Sequence, residues 1–172
     1  LQTKLLEENS EQFTFLHSKA ASLYEQDQCW NEAISHFLTA GKYDEASRVI
    51  KSVGEEFLRA GKWMTVSRWL EALPRDLQLS DRALVLLHVQ SLIHVGAVDE
   101  AIHVLSKLLS QLTSSEDWLY RAKALSWRSA AFRLTSYFDE AKSDIRAAIR
   151  LLERHNGPAD LLGDAHRRLG NI

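Results

Sequence analysis

Cysteine is almost absent from this chain, in which Cys29 is the only one among 172 residues. A single thiol excludes an internal disulfide and a zinc site built from several cysteines. It fits a reducing environment, so we expect a cytoplasmic protein. Proline, with two residues, and glycine, with seven, are also scarce, which disfavours a loop-rich β protein.

Long apolar runs are missing too. No stretch approaches the roughly 18 apolar residues that a membrane-spanning helix needs, so we expect no membrane contact. The net charge is only −2, so we do not expect the chain to bind nucleic acid directly. The charge is uneven, because 10 basic and 7 acidic residues follow Glu116. The C-terminal part is therefore mildly basic.

Catalytic and metal-binding motifs are lacking as well. Gly61-Lys62 is not a phosphate-binding loop, since six residues separate Gly54 from Gly61 where four are required, and Trp63 replaces the Ser or Thr that binds magnesium. The seven histidines show no HExxH spacing, and no base lies near Cys29 in sequence. We therefore expect no catalytic residue, no metal site, no cofactor and no enzymatic activity.

What is present is helical periodicity. Residues 86–112 predict two helices around a tight turn at Gly96. The apolar residues of the second helix recur at the spacing of one helical face. They are Val98, Ala101, Ile102, Leu105, Leu108, Leu109 and Leu112.

A short signature marks the start of this second helix and returns elsewhere. It consists of an apolar residue, Asp or Asn, Glu and Ala. The small Ala allows close helix packing, the apolar residue is expected to cover the turn, and acidic groups are favoured at a helix N-terminus. The recurrence of this signature between helices, with the last two copies 40 residues apart, indicates a repeat protein. The four copies begin at Trp30, Tyr43, Val98 and Phe138.

Further boundaries follow from capping residues and glycines. Asn9 or Ser10 is predicted to cap a first helix that ends near Gln26, and Ser80 to cap the central pair. Residues 113–116, Thr-Ser-Ser-Glu, form a capping-box pattern. Gly54 and Gly61 are predicted to bracket a short separate helix. The inward face of the first helix is predicted to consist of Phe13, Leu16, Ala20 and Leu23.

Together these features predict an all-α fold, a right-handed superhelix of antiparallel helix hairpins with a period of about 40 residues. The alternative is an unrelated helical bundle. Residues 1–79 are expected to form degenerate hairpins, residues 80–157 two tetratricopeptide-like repeats, and residues 158–172 the first helix of a truncated repeat. We therefore expect a fragment of a longer protein, and a homo-oligomer is one way to cover the apolar end of such an array.

The hairpins resemble tetratricopeptide repeats, and the N-terminal half resembles a more particular family. The residues concerned are LHSKAASLYEQ (16–26), WNEAISHFLTAGKYDEASRVI (30–50) and LRAGKWMTVSRWLEALP (58–74). They are similar to the segment that joins the ATPase module to the repeat array in MalT-type, LuxR-family transcriptional activators. The resemblance implies an array that senses an effector, with ATPase and DNA-binding modules elsewhere in the same full-length chain.

Two functions are therefore expected as alternatives. In the first, the chain is the sensor region of an ATP-dependent transcriptional regulator, and its partner is a small-molecule effector or a regulatory protein or peptide. In the second, it is a scaffold that docks another protein without sensing an effector.

The candidate binding residues lie on two surfaces. Repeat arrays bind partners in the groove lined by their first helices, where His94 also lies. By contrast, His88 and His103 are expected to be ordinary packing residues. A second surface is a basic stripe at i+4 spacing on an outer helix face, for which Asp139, Asp144 and Glu153 are local counter-charges. The predicted groove residues are Gln90, Ile93, His94, Lys123, Ser126, Arg133, Arg167 and Asn171, and the stripe consists of Lys142, Arg146, Arg150 and Arg154.

Overall fold

The computed structural model describes the backbone of residues 2–172 and the side chains of residues 10–172. The regular structure of these residues is entirely helical, which confirms the predicted all-α class. The chain divides into two compact units, residues 1–80 and 81–172. The sequence places the corresponding boundary between residues 79 and 80.

The first unit consists of five helices. Its core is formed by small and branched apolar residues, among them Ala33, Ile34, Val49 and Ile50, none of which has any exposed surface. The indole Nε1 of Trp69 donates a hydrogen bond of 3.2 Å to Asn31 Oδ1 and so links the fourth helix to the second. The helices are α1 (Gln2–Gln26), α2 (Trp30–Thr39), α3 (Tyr43–Arg59), α4 (Trp63–Glu71) and α5 (Arg75–Ser80).

The second unit also has five helices, with a 3-10 turn at Ser115–Asp117. Its apolar residues form two clusters. One is centred on Val89, Leu105 and Leu112, and the other on Ile145 and Ala148. The helices are α6 (Arg82–His94), α7 (Val98–Gln111), α8 (Trp118–Leu134), α9 (Phe138–Arg154) and α10 (Ala159–Gly170).

The repeated signature begins a helix at each of its four positions, α2, α3, α7 and α9. Its alanines, Ala33, Ala46, Ala101 and Ala141, are completely buried, as the packing argument requires. The apolar residue covers the turn only in part, because Tyr43 and Phe138 remain 39% and 47% exposed. That part of the expectation is wrong, since the neighbouring helix packs on the alanine one turn later.

One backbone geometry recurs in the turns that precede these helices. The amide of each N-cap residue donates to a carbonyl five residues earlier at 2.8–2.9 Å, which is the long bond of a Schellman motif. The residue before the N-cap has a positive φ of 58–85°. The motif occurs twice more, at Gly61 before α4 and at Asn156 after α9, where the amide of Gly157 donates to the carbonyl of Leu152 at 2.7 Å and Asn156 has a φ of 49°. The positive-φ residues in the described part of the chain are Gln28, Gly41, Gly61, Gly96, Ser136 and Asn156.

The first helix differs from its prediction in two respects. It begins at Gln2, so Asn9 and Ser10 lie within it and do not cap it. Its predicted inward face is wrong, because Phe13, Leu16 and Leu23 are at least half exposed. Within residues 10–26, the part of α1 whose side chains are described, Ala21 is the one that becomes fully buried, because α2 packs against a face adjacent to the predicted one.

Three further boundaries also differ. The chain stays helical through Gly54, which is buried within α3 and does not have the positive φ of the residues that end helices in Schellman turns. Asp81 caps α6 instead of Ser80, and its carboxylate accepts hydrogen bonds from the amides of residues 83 and 84. The predicted capping box does not form, since Ser114 caps the 3-10 turn that precedes α8.

Candidate functional site

Three of the predicted groove residues line a single small cavity in the second unit. Arg133 lies in the last turn of α8, and Arg167 and Asn171 lie at the end of α10. The cavity has a volume of about 170 Å³. Its other lining residues are Ser129, Ala130, Arg168 and Ile172.

A buried hydrogen bond fixes one wall of this basic pocket. The hydroxyl of Ser129, which has no exposed surface, donates to the carbonyl oxygen of Ala141 at 2.8 Å. The acceptor belongs to the signature alanine in the first turn of α9. The repeated turn therefore holds the C-terminal part of α8, and with it the backbone that carries Arg133.

The opposite wall is organised around Asp164 of α10. Its carboxylate accepts a hydrogen bond of 2.6 Å from Arg168 Nε and another from Arg167 Nη2. Burial alone would raise the pKa of Asp164, but the hydrogen bonds and charges of Arg168 and Arg167 outweigh it and lower this pKa. The Arg168 guanidinium also lies 4.3 Å above the ring centre of Trp127. Arg168 is thereby held in place on two sides.

The remaining polar groups of the pocket are unengaged. Arg133 is exposed, and its side chain makes no hydrogen bond or ion pair with any residue that the structure describes, nor does the side chain of Asn171. Counted as side chains alone, the three arginines and Asp164 carry two net positive charges. The C-terminal ends of α8 and α10 offset roughly one of them, at about half a charge each. The pocket therefore retains a positive charge and unused donors.

The other predicted groove residues are not part of this pocket. Gln90 is only 8% exposed, and Ile93 is half-buried against the first apolar cluster. Lys123 and Ser126 are half-buried on α8. His94 is exposed at the end of α6, whereas His103, expected to pack, is exposed on α7 because it points away from the cluster.

The basic stripe lies on the outer face of α9. Arg146, Arg150 and Arg154 are exposed and Lys142 is half-buried. No ion pair joins these four cations to the residues that the structure describes. Asp144 is not a counter-charge for the stripe, because it is buried on the opposite face, where it binds Arg128 through two hydrogen bonds of 2.7 and 2.9 Å.

Arg168 is the charged pocket residue that the sequence analysis missed, along with the uncharged Ser129, Ala130 and Ile172. It belongs to the same last turn of α10 as Arg167, and two adjacent arginines are visible in the sequence. The repeat alignment assigned groove positions one by one, however, and a helix presents adjacent residues about 100° apart. Only the three-dimensional structure shows that Arg167 and Arg168 line the same cavity, where Arg168 also contacts Trp127.

A second depression lies in the first unit. It has a volume of about 380 Å³ and is lined by residues of α1 together with Lys42. Most of these residues, including Glu11 and Phe15, are exposed, so it is an open surface and not an enclosed pocket.

Among residues 10–172, no three His, Cys, Asp or Glu side chains are grouped so that they could hold a metal ion. In the part of the chain that the structure describes, no helix has both the length and the apolar character needed to cross a membrane. Comparison with protein-family models, with curated proteins and with solved structures finds no match to this chain.

Proposed function

We propose that this chain is a non-catalytic binding region, a tetratricopeptide-like superhelical array of hairpins in a cytoplasmic, ATP-dependent transcriptional regulator of the LuxR/MalT type. Its role is to bind an effector or a regulatory protein and to pass the bound state to other modules of the regulator. Coupling of this kind requires that the ligand bind one arrangement of the array more tightly than another.

The observation that supports this proposal most directly is the convergence of Arg133, Arg167 and Asn171 on one cavity. The repeat alignment assigns these residues to the first helices of their hairpins, and the first helices line the binding groove of tetratricopeptide-like arrays. Their side chains retain donors that the fold itself does not use. The six recurring Schellman turns and the buried signature alanines support the repeat architecture.

A thermal-shift screen of the 172-residue chain tests the proposal. Sugars, nucleotides, amino acids and short peptides are added in turn. A ligand at 100 times its Kd stabilises the folded state by about 2.7 kcal/mol. For a chain of this size, that raises the midpoint of thermal unfolding by about 5–10 °C. A shift of this size from a small molecule supports effector sensing.

The alternative function is protein docking without effector sensing, which the unpaired basic stripe on α9 favours. A flat small-molecule screen, combined with loss of a protein partner in the Arg133→Glu variant, would support this alternative. Turnover of a substrate by the isolated chain would contradict both functions.

A further inference from the structure

The basic pocket between α8 and α10 has the chemistry of an anion site, and its size limits what can enter. Pockets that hold a whole drug-sized ligand measure roughly 300–1,000 Å³. This one measures about 170 Å³. It therefore accommodates a small ion or the charged end of a larger ligand whose remaining atoms lie outside.

The arginines differ in how much of their hydrogen-bonding capacity is already used. Arg168 donates to Asp164 and stacks on Trp127, so it supplies mainly positive charge to the pocket. Arg167 shares the same carboxylate through one of its terminal nitrogens. Arg133 keeps the full planar fork of five N–H donors, and Asn171 adds a free amide at the same cavity.

The charge of the pocket favours one kind of anion. Among the side chains and helix ends, about one positive charge remains unbalanced after the carboxylate of Asp164 is counted. A carboxylate carries one negative charge, and its plane and two oxygens match the guanidinium fork of Arg133. A phosphate monoester brings up to two negative charges toward helix ends that repel them.

We infer that the pocket lined by Arg133, Arg167, Arg168 and Asn171 binds the carboxylate of a small organic acid. Arg133 donates two hydrogen bonds to the two oxygens of the ligand carboxylate, and Asn171 donates a further one from the side. Arg167 and Arg168 attract the carboxylate through their positive charge. This inference rests on the proposed binding function and names the chemical class of the effector.

The test is an NMR titration with sodium acetate at constant ionic strength, on the 172-residue chain prepared with an amidated C-terminus. The amide removes the main-chain carboxylate of Ile172, a lining residue that would otherwise compete with acetate. The side-chain Nε–H signals of the arginines and the amide signals of Asn171 are followed. We expect saturable shifts for Arg133, Arg167 and Asn171, and none for Arg150 on the outer face of α9. Acetamide, which has nearly the same shape without the charge, is expected to cause no saturable shift.

Two charge-matched variants locate the site. Arg133→Gln removes a charge-assisted contact and is expected to raise the Kd of acetate about tenfold or more. Arg150→Gln removes the same charge from an exposed position outside the pocket and is expected to change this Kd less than about twofold. Arg167→Gln serves as a second pocket variant in the event that Arg133→Gln does not fold.

Several results would overturn the inference. One is a linear, equal response of Arg133 and Arg150 to acetate. Another is saturable binding of acetamide, and a third is saturable binding of inorganic phosphate without binding of acetate. A neutral ligand that stabilises the chain while acetate does not bind would overturn only the carboxylate class and leave the proposed binding function standing.

Discussion

Two arginine–carboxylate pairs in this chain share a two-pronged geometry but lie in different surroundings. Arg48 and Glu25 are paired at 2.7–2.8 Å on the surface, with side chains 57% and 26% exposed. Arg128 and Asp144 are paired at 2.7–2.9 Å, with side chains 22% and 10% exposed. Surface pairs contribute little to stability, whereas breaking a buried pair leaves a charge without compensation.

Asp144→Asn is therefore expected to destabilise the chain by about 2–3 kcal/mol, and the matched surface variant Glu25→Gln by less than about 1 kcal/mol. Urea denaturation followed by circular dichroism measures both. Equal losses in the two variants would show that burial does not decide the contribution of these pairs.

The lowered pKa of Asp164 predicts a dependence of stability on pH. Because this pKa lies below the ordinary value of 3.8, the folded state binds the proton more weakly than the unfolded state. The stabilisation is fully present above pH 3.8 and is lost as the pH falls through the folded-state pKa. We expect the difference in unfolding free energy between wild type and Asp164→Asn to be constant near pH 7 and to shrink below about pH 4. A difference that stays constant down to about pH 2 would contradict the assignment.

At the scale of the element, the recurring turn sets where helices end. Three of its six positive-φ positions are glycines, but Gln28, Ser136 and Asn156 adopt φ of 58°, 65° and 49°. A residue with a Cβ is strained in this region by about 1–2 kcal/mol. A Cβ added at Gly96 would meet nothing within 4 Å, so the cost of substitution there comes from the backbone alone.

Ser136→Gly is thus expected to stabilise the chain by roughly 0.5–1 kcal/mol, and Gly96→Ser to destabilise it by about 1 kcal/mol. Thermal unfolding of the two variants beside wild type measures these opposite effects. A loss of stability in Ser136→Gly would mean that the serine hydroxyl, and not the backbone conformation, matters at this turn.

The stripe on α9 carries like charges at i+4 spacing, which repel by about 0.2–0.5 kcal/mol per pair. Arg146→Glu converts the pairs with Lys142 and Arg150 from repulsive to attractive. We expect it to stabilise the chain by about 1 kcal/mol at low salt, and by less as salt is raised. Unfolding midpoints at two ionic strengths measure the effect. A loss of stability in Arg146→Glu would show that Arg146 makes favourable contacts that outweigh its repulsion by the neighbouring cations.

The sequence predicts the features of the fold that depend on residues close together in the chain, and it does not predict those that depend on packing between helices. The starts of α2, α3, α7 and α9 were predictable because the signature and the turn are local. The continuation of α3 through Gly54 was not, since burial by other helices decides it. The exposure of Phe13 likewise depends on which face of α1 the second helix covers, and no local pattern encodes that choice.

At the scale of the whole molecule, the candidate site lies within the second compact unit. The alignment placed Arg133, Arg167 and Asn171 on first helices but did not specify which of the eight candidates meet. Their meeting depends on how the C-terminal turns of α8 and α10 pack, and the stacking of Arg168 on Trp127 is part of that packing. The position of a residue in the repeat therefore limits which residues are candidates for the binding site. The packing of α8 and α10 then decides which of these candidates line the pocket.

The central claim is that this chain binds its ligand in the basic pocket. The most direct test compares wild type, Arg133→Gln and Arg150→Gln, each with and without the most stabilising compound of the thermal-shift screen. The account predicts that Arg150→Gln keeps the full shift of about 5–10 °C at 100 times the Kd and that Arg133→Gln loses at least half of it. An undiminished shift in Arg133→Gln together with its loss in Arg150→Gln would contradict the account and assign binding to the outer face of α9.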